Sequence, residues 1–188
     1  PDNGIVLICG STGSGKSTTF AGIMRFILEN DTNIQGNIVT SEEPIEYTYD
    51  NIVSRHSVIA QSAVPINFRT FGKANEAAMR RHPFLAMIGE LRDDSTVRAA
   101  VELSLTGHPV FATVHSSTVA TVIKRLVSRF PVVQQASAIA DLLATVRTIV
   151  AQRLMPRADG QGLIVAREWL HFTPAIARPL GALQDLER

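Results

Sequence analysis

The chain has 188 residues, a formal net charge of +1, 45% hydrophobic residues and 19% charged residues. That length suits one domain and is short for two, and the apolar share can offset the entropy of ordering a chain, which excludes a disordered segment. No run of five or six like charges occurs, so the electrostatic footprint of a nucleic-acid binder is missing and direct nucleic-acid binding is not expected.

The chain starts at Pro1, without Met, and reaches a strand-like run within a few residues. We therefore expect an upstream part of a longer protein. Ile5 to Cys9 is apolar throughout and reads as a buried strand. Cys9 is the single cysteine, so no disulfide can form within the chain and a reducing cytosol is its natural home; in this run it reads as a small core residue. Phe20, Ile23, Met24, Ile27 and Leu28 recur at the spacing of one helix face. Ile38 to Thr40, Phe84 to Ile88 and Val110 to Val114 are three more short apolar runs of strand character, whereas Val53 to Val64 is apolar without clear period and reads as extended strand or loop. Val97, Val101 and Leu105 repeat every four residues behind Asp93 and Asp94, which can cap a helix start.

Val119, Val122, Ile123, Leu126 and Val127 predict a further helix, with Ser116 and Ser117 as its candidate caps. From Gln134 to Arg153 the positions Ile139, Leu142, Leu143, Val146, Ile149 and Val150 predict one long helix with Pro156 just beyond its end. Ala158 to Gly162 then reads as a turn before a strand over Leu163 to Trp169. Strands alternating with helices imply a mainly parallel sheet covered on both faces, an α/β fold. No stretch approaches the ~18 apolar residues of a membrane span, and no charged segment followed by an apolar one opens the chain; membrane association is expected to be peripheral or through partners.

Gly10-Ser11-Thr12-Gly13-Ser14-Gly15-Lys16-Ser17 fits G-x-x-x-x-G-K-[ST] between a strand and an amphipathic helix, the setting in which the motif has physical meaning. Its glycines let successive N–H groups curl around phosphates while the helix offers its positive end to the same anion. Ser11, Thr12, Gly13, Ser14, Gly15, Lys16, Ser17 and Thr18 are the expected nucleotide-binding residues. Lys16 would neutralise the outer phosphates, and the Ser17 hydroxyl would ligate Mg²⁺. The guanine-selecting tetrapeptide Asn-Lys-x-Asp is absent, which makes ATP the expected nucleotide.

Ligands of open α/β sheets sit beyond the carboxyl ends of the strands. Those positions here carry Ser41-Glu42-Glu43-Pro44-Ile45-Glu46, Gly89-Glu90 and His115. A glutamate after a strand is often only a solvated turn residue, but hydrolysis needs a metal-holding carboxylate and a group that orients or deprotonates water. Glu90, after its apolar run, is the expected Mg²⁺ partner, in part through water. Gly89 either lets the backbone approach the nucleotide or serves packing. His115 suits a neutral donor or proton partner near the terminal phosphate. A small-molecule kinase and a nucleotide-gated scaffold without turnover are the competing readings.

The four segments together resemble the secretion ATPase superfamily of type II secretion, type IV pilus and type IV secretion motors, and look most similar to its DotB/TraJ-like members of type IVB secretion and conjugation systems. Gly10 to Thr18 matches Walker A, Thr40 to Glu46 the acidic box, Met87 to Asp93 an atypical Walker B, and Thr106 to Ser116 the His box; the likeness continues through Arg125 to Pro131 and Ala151 to Pro156. The resemblance implies a RecA-like P-loop fold, with residues 1–188 as a C-terminal ATPase domain separated from its N-terminal domain. It implies a hexameric ring with nucleotide at subunit interfaces, and inner-membrane secretion components as partners of a cytoplasmic, peripherally attached protein. It also implies roles for residues: Glu46 as catalytic base, Glu90 as the Walker B carboxylate, His108 and His115 as His-box residues at the nucleotide, and arginines supplied by the missing domain. Glu43 stands where many relatives have Asp.

Overall fold

In the computed structural model, which describes residues 3–182, seven strands form one sheet. In chain order the elements are β1 (Gly4–Cys9), α1 (Lys16–Glu29), β2 (Gly36–Glu42), β3 (Ser57–Ala63), α2 (Phe71–Met79), β4 (Leu85–Ile88), α3 (Asp94–Leu105), β5 (Pro109–Val114), α4 (Val119–Val127), α5 (Val132–Thr145), β6 (Val146–Pro156), β7 (Leu163–His171) and α6 (Pro174–Ala182). The strand order is β3-β2-β4-β5-β1-β6-β7. All neighbours run parallel except the β6–β7 hairpin. This is the expected α/β, RecA-like arrangement.

The central strands are apolar on both faces because both are covered, as parallel sheets require. Ile5, Leu7 and Cys9 of β1 join a core with Val97, Leu103, Leu126 and Leu142 from α3, α4 and α5. On the other face Ile8 packs with Phe20, Met24, Ile27 and Leu28 of α1. The predicted face of α1 is thus the buried one, apart from a partly buried Ile23.

Four expectations are corrected. The long helix over Gln134 to Arg153 is instead α5 followed without a loop by β6. Val146, Thr148, Ile149 and Val150 are β-branched and lose side-chain freedom in a helix, and the slot beside β1 is filled only by an extended segment, with Leu7 opposite Ile149 and Cys9 opposite Ala151. Ile149 and Val150 therefore enter opposite cores. The cap of α4 is Thr118 rather than Ser116 or Ser117, and its side chain makes no capping bond; the Ser116 hydroxyl is engaged with Thr121. Leu105, the last residue of α3, is exposed, not buried. Finally, β2 runs on through Ser41 and Glu42, which pair with Ser62 and Ala63. The helices α2 and α6 had no counterpart in the sequence reading, and the unperiodic Val53 to Val64 resolves into a connection and β3.

Candidate functional site

The carboxyl ends of β1, β2, β4 and β5 share one edge of the sheet and open on a cleft of about 580 Å³. Thr12, Gly13, Gly15, Lys16, Ser17 and Thr18 line it from the loop and the start of α1; Glu42 lines it as the last residue of β2, Glu43 and Glu46 after β2, Gly89 and Glu90 after β4, and His115 after β5. Among the described residues no three His, Cys, Asp or Glu side chains converge as a metal cage.

Gly13 and Gly15 have φ of 76° and 84°, left-handed values that a side chain would strain. The second makes Gly15 the N-cap of α1, and no side chain caps that helix. By contrast, Thr70 caps α2 and Asp93 caps α3 through side-chain oxygens. The first-turn N–H groups of α1 thus lack intrahelical acceptors and side-chain caps alike, the donor set an anion fits. Lys16 is 8% exposed, and its ammonium donates to the carbonyls of Gly10 at 3.0 Å and Ser11 at 2.9 Å. Burial holds its pKa below the usual lysine value, against the opposing pull of Glu90 and Glu46. A phosphate in the cleft would be a better partner for that charge than two carbonyls.

The Ser17 hydroxyl donates to Glu46 Oε1 at 2.9 Å, and the hydroxyls of Thr18 and Tyr47 lie 2.9 Å apart. The segment after β2 is therefore clipped to the start of α1 through two side-chain pairs. Glu42 is buried, accepting from Thr40 at 2.6 Å and from Gln61 at 3.0 Å. Glu43 is ion-paired with Arg92, whose guanidinium also lies 4.8 Å above the Phe71 ring centre. The Glu90 carboxylate is 3.7 Å from His115 Nε2, with both side chains about one-third exposed, at 34% and 35%.

Gly89 serves packing as well as lining. A Cβ there would lie 3.1 Å from the Ser41 carbonyl oxygen and 3.3 Å from Glu42 Cα, so its absence lets β4 end against β2. Its carbonyl accepts the Thr113 hydroxyl, and Leu91 N–H donates back to the Thr113 carbonyl at 2.9 Å.

Glu46, Glu90, His115 and most of the loop are thus brought together, but three expected residues stand apart. His108 lies at the amino end of β5, roughly 23 Å of strand from His115 at ~3.3 Å per residue. Its Nδ1 is within bonding distance of the Thr106 hydroxyl and the Leu103 carbonyl, so a place in this chain's own cleft is not what the fold gives it. Ser11 opens on a neighbouring recess with Ser116, Ser117 and Thr121, on the other side of His115, which lines both. Ser14 is buried with its hydroxyl unpartnered among the described residues, and its N–H donates to the Ser11 carbonyl at 3.2 Å. The sequence reading gave no role to Glu42, Tyr47, Thr113 or Gln152. Only Gln152 carried a signal: a lone amide beside apolar Ile149, Val150 and Ala151.

A model of the family described as "Type II/IV secretion system protein" matches residues 2–174. The type IV pilus retraction ATPase PilT of Pseudomonas aeruginosa is 35% identical over 173 residues, 92% of this chain and 48% of the relative. The uncharacterised protein YggR of Escherichia coli is 35% identical over 93% of this chain and 52% of its own length. The chain spans about half the length of these curated relatives. Among solved structures, the ATPase DotB of Yersinia pseudotuberculosis superposes with a TM-score of 0.91 at 54% identity, covering 97% of this chain and 47% of that one. The pilus retraction motor PilT with bound ADP gives 0.86 at 35% identity, covering 96% of this chain and 51% of that one.

Proposed function

We propose, for a chain that belongs to the type II/IV secretion system protein family, that it hydrolyses ATP as the motor domain of a type IVB-like secretion or conjugation system. The observation that carries the hydrolytic part is the meeting of Lys16, Glu46, Glu90 and His115 around one cleft at the N-terminus of α1. A domain that only bound nucleotide would need the loop and α1 but not the two carboxylates Glu46 and Glu90 beside them.

The loop N–H groups and Lys16 hold the phosphates. Ser17 and Glu90 would hold Mg²⁺, which supplies charge neutralisation on the phosphates when bound, as is usual for an ion shared between one or two protein groups and substrate. Glu46 accepts the proton of the attacking water as its oxygen bonds to the terminal phosphorus, and the bond to the bridging oxygen breaks to leave ADP and phosphate. Its 2.9 Å bond to Ser17 supports a carboxylate at the metal side of the phosphates, where a water can be both oriented and deprotonated. His115, 3.7 Å from Glu90, donates toward the developing charge.

The narrower assignment rests on the 54% identity to DotB. A pilus or type II secretion motor is supported by relatives such as PilT and the type II secretion ATPase E of Vibrio cholerae, the latter 40% identical over 126 residues. In either machine the chain works in a hexameric ring at the cytoplasmic face of the inner membrane, completed by arginines from another domain. No helix among the described residues is long and apolar enough to cross a membrane.

Phosphate release and equilibrium nucleotide binding test this. Lys16→Ala should lose binding and turnover. Glu46→Gln should keep ATP binding and lose on the order of 10²–10⁴-fold in rate, the span of a general base. Full turnover in Lys16→Ala and Glu90→Gln would remove the motor reading.

A further inference from the structure

Gln152 is 3% exposed and has no role in the chemistry above, yet its carboxamide is bonded at both ends. The Nε2 amide donates to the Ser14 carbonyl at 2.8 Å. Oε1 accepts from the Thr19 hydroxyl at 3.0 Å and from Arg167 Nε at 3.4 Å, and Arg167 Nη2 reaches the same Thr19 hydroxyl at 3.3 Å. Exchanging the amide's oxygen and nitrogen would set its NH₂ against a guanidinium and its oxygen against a carbonyl, so the donor and acceptor ends are fixed by their partners.

The sheet brings this about. Cys9, the last residue of β1, lies opposite Ala151, so Gln152 is one step beyond the end of β1 and level with the loop. The two backbones touch there: a Cβ on Gly10 would lie 2.4 Å from the Gln152 carbonyl oxygen, and one on Gly15 would lie 3.3 Å from Nε2. Arg167 stands opposite Gln152 across the β6–β7 hairpin and holds the amide from behind.

In a planar trans peptide the carbonyl of one residue and the N–H of the next point in opposite directions. Anchoring the Ser14 carbonyl toward β6 therefore turns the Gly15 N–H the other way, toward the cleft that Gly15 lines. We infer that Gln152 is a positioning residue for the phosphate loop, setting the Ser14–Gly15 peptide so that its N–H faces an anionic ligand. It touches the loop and not the ligand. The inference rests on the proposed reading of that loop as a triphosphate site.

The test is Gln152→Glu beside Gln152→Ala, reading ATP affinity by calorimetry between pH 5.5 and 8, amide exchange over residues 10–19 without nucleotide, and thermal unfolding. The glutamate keeps the shape and the acceptor for Thr19 and Arg167 but, when ionised, sets an acceptor against the Ser14 carbonyl. Protonated, it regains a donor. Both variants should bind ATP on the order of tenfold more weakly at pH 8, the loss of about one hydrogen bond. Exchange at Ser14, whose N–H is bonded to the Ser11 carbonyl at 3.2 Å, should rise in both at pH 8 by more than any change in global stability accounts for. Affinities equal to the unsubstituted chain in both variants would overturn the inference. Should the unsubstituted chain bind no ATP, the triphosphate reading falls, and loop exchange still decides: unchanged protection at Ser14 in both variants would show that Gln152 does not hold the loop.

Discussion

Replacing Asp93 by alanine should destabilise the fold in a way that asparagine does not. Asp93 caps α3: its carboxylate accepts from Thr96 N–H at 2.8 Å and from the Ser95 hydroxyl at 2.8 Å, while the Thr96 hydroxyl accepts from Asp93 N–H at 3.2 Å. Alanine removes the acceptor for an otherwise unsatisfied first-turn donor, a loss of about 1 kcal/mol with a range of about 0.5–2. For a domain of this size that lowers the melting temperature by about 2–4 °C per kcal/mol.

Asparagine keeps the oxygen and loses the charge, so Asp93→Asn should cost only a few tenths of a kcal/mol at neutral pH. The charge also dictates a pH dependence. Partial burial works against ionisation of Asp93, but the bonds from Thr96 and Ser95, with Arg92 nearby, outweigh it and hold its pKa below the usual 3.8. A group lowered in the folded state binds its proton more tightly when unfolded. Its contribution is therefore complete above the unfolded pKa near 3.8 and is lost as pH falls through the lower folded value. Urea unfolding at pH 7 and at steps below pH 4 should show the advantage of the unsubstituted chain over Asp93→Asn shrinking with acid. If that difference stays constant, or if asparagine costs as much as alanine at pH 7, the capping argument is wrong.

Ile149→Ala should cost about 2–5 kcal/mol, because the side chain is fully buried in the α3–α5 core and leaves a cavity; chemical denaturation measures it, and a loss below about 1 kcal/mol would contradict the placement of β6. Cys9 is buried, and burial, helped by Glu168, pushes its thiol up to about 11. At pH 8 an aromatic disulfide reagent should therefore react with it only slowly in the native chain and at once in denaturant, since the thiolate is the nucleophile. Rapid native labelling would mean that the end of β1 is open to solvent.

The sequence by itself determined what local pattern and covalent spacing can carry. The loop from Gly10 to Ser17 is contiguous, so its register, its strand before and its helix after were all readable, and so was the apolar face of α1. The positions of Glu46, Glu90 and His115 after strands were enough to predict a shared edge. The tertiary structure alone decided what depends on a neighbour. Val146 to Ala151 satisfies helical spacing as well as strand alternation, and only the vacant side of β1 selects the strand. His115 was readable as a residue after its strand, whereas His108 was expected at the nucleotide only from the resemblance, and its place at the amino end of β5 sets it away from this chain's own cleft. Gln152 is more than 130 residues from Ser14 in the chain, with a separation of 138, and nothing local predicts their bond. It exists because β6 runs parallel to β1 and overshoots its end, a consequence of packing the whole sheet.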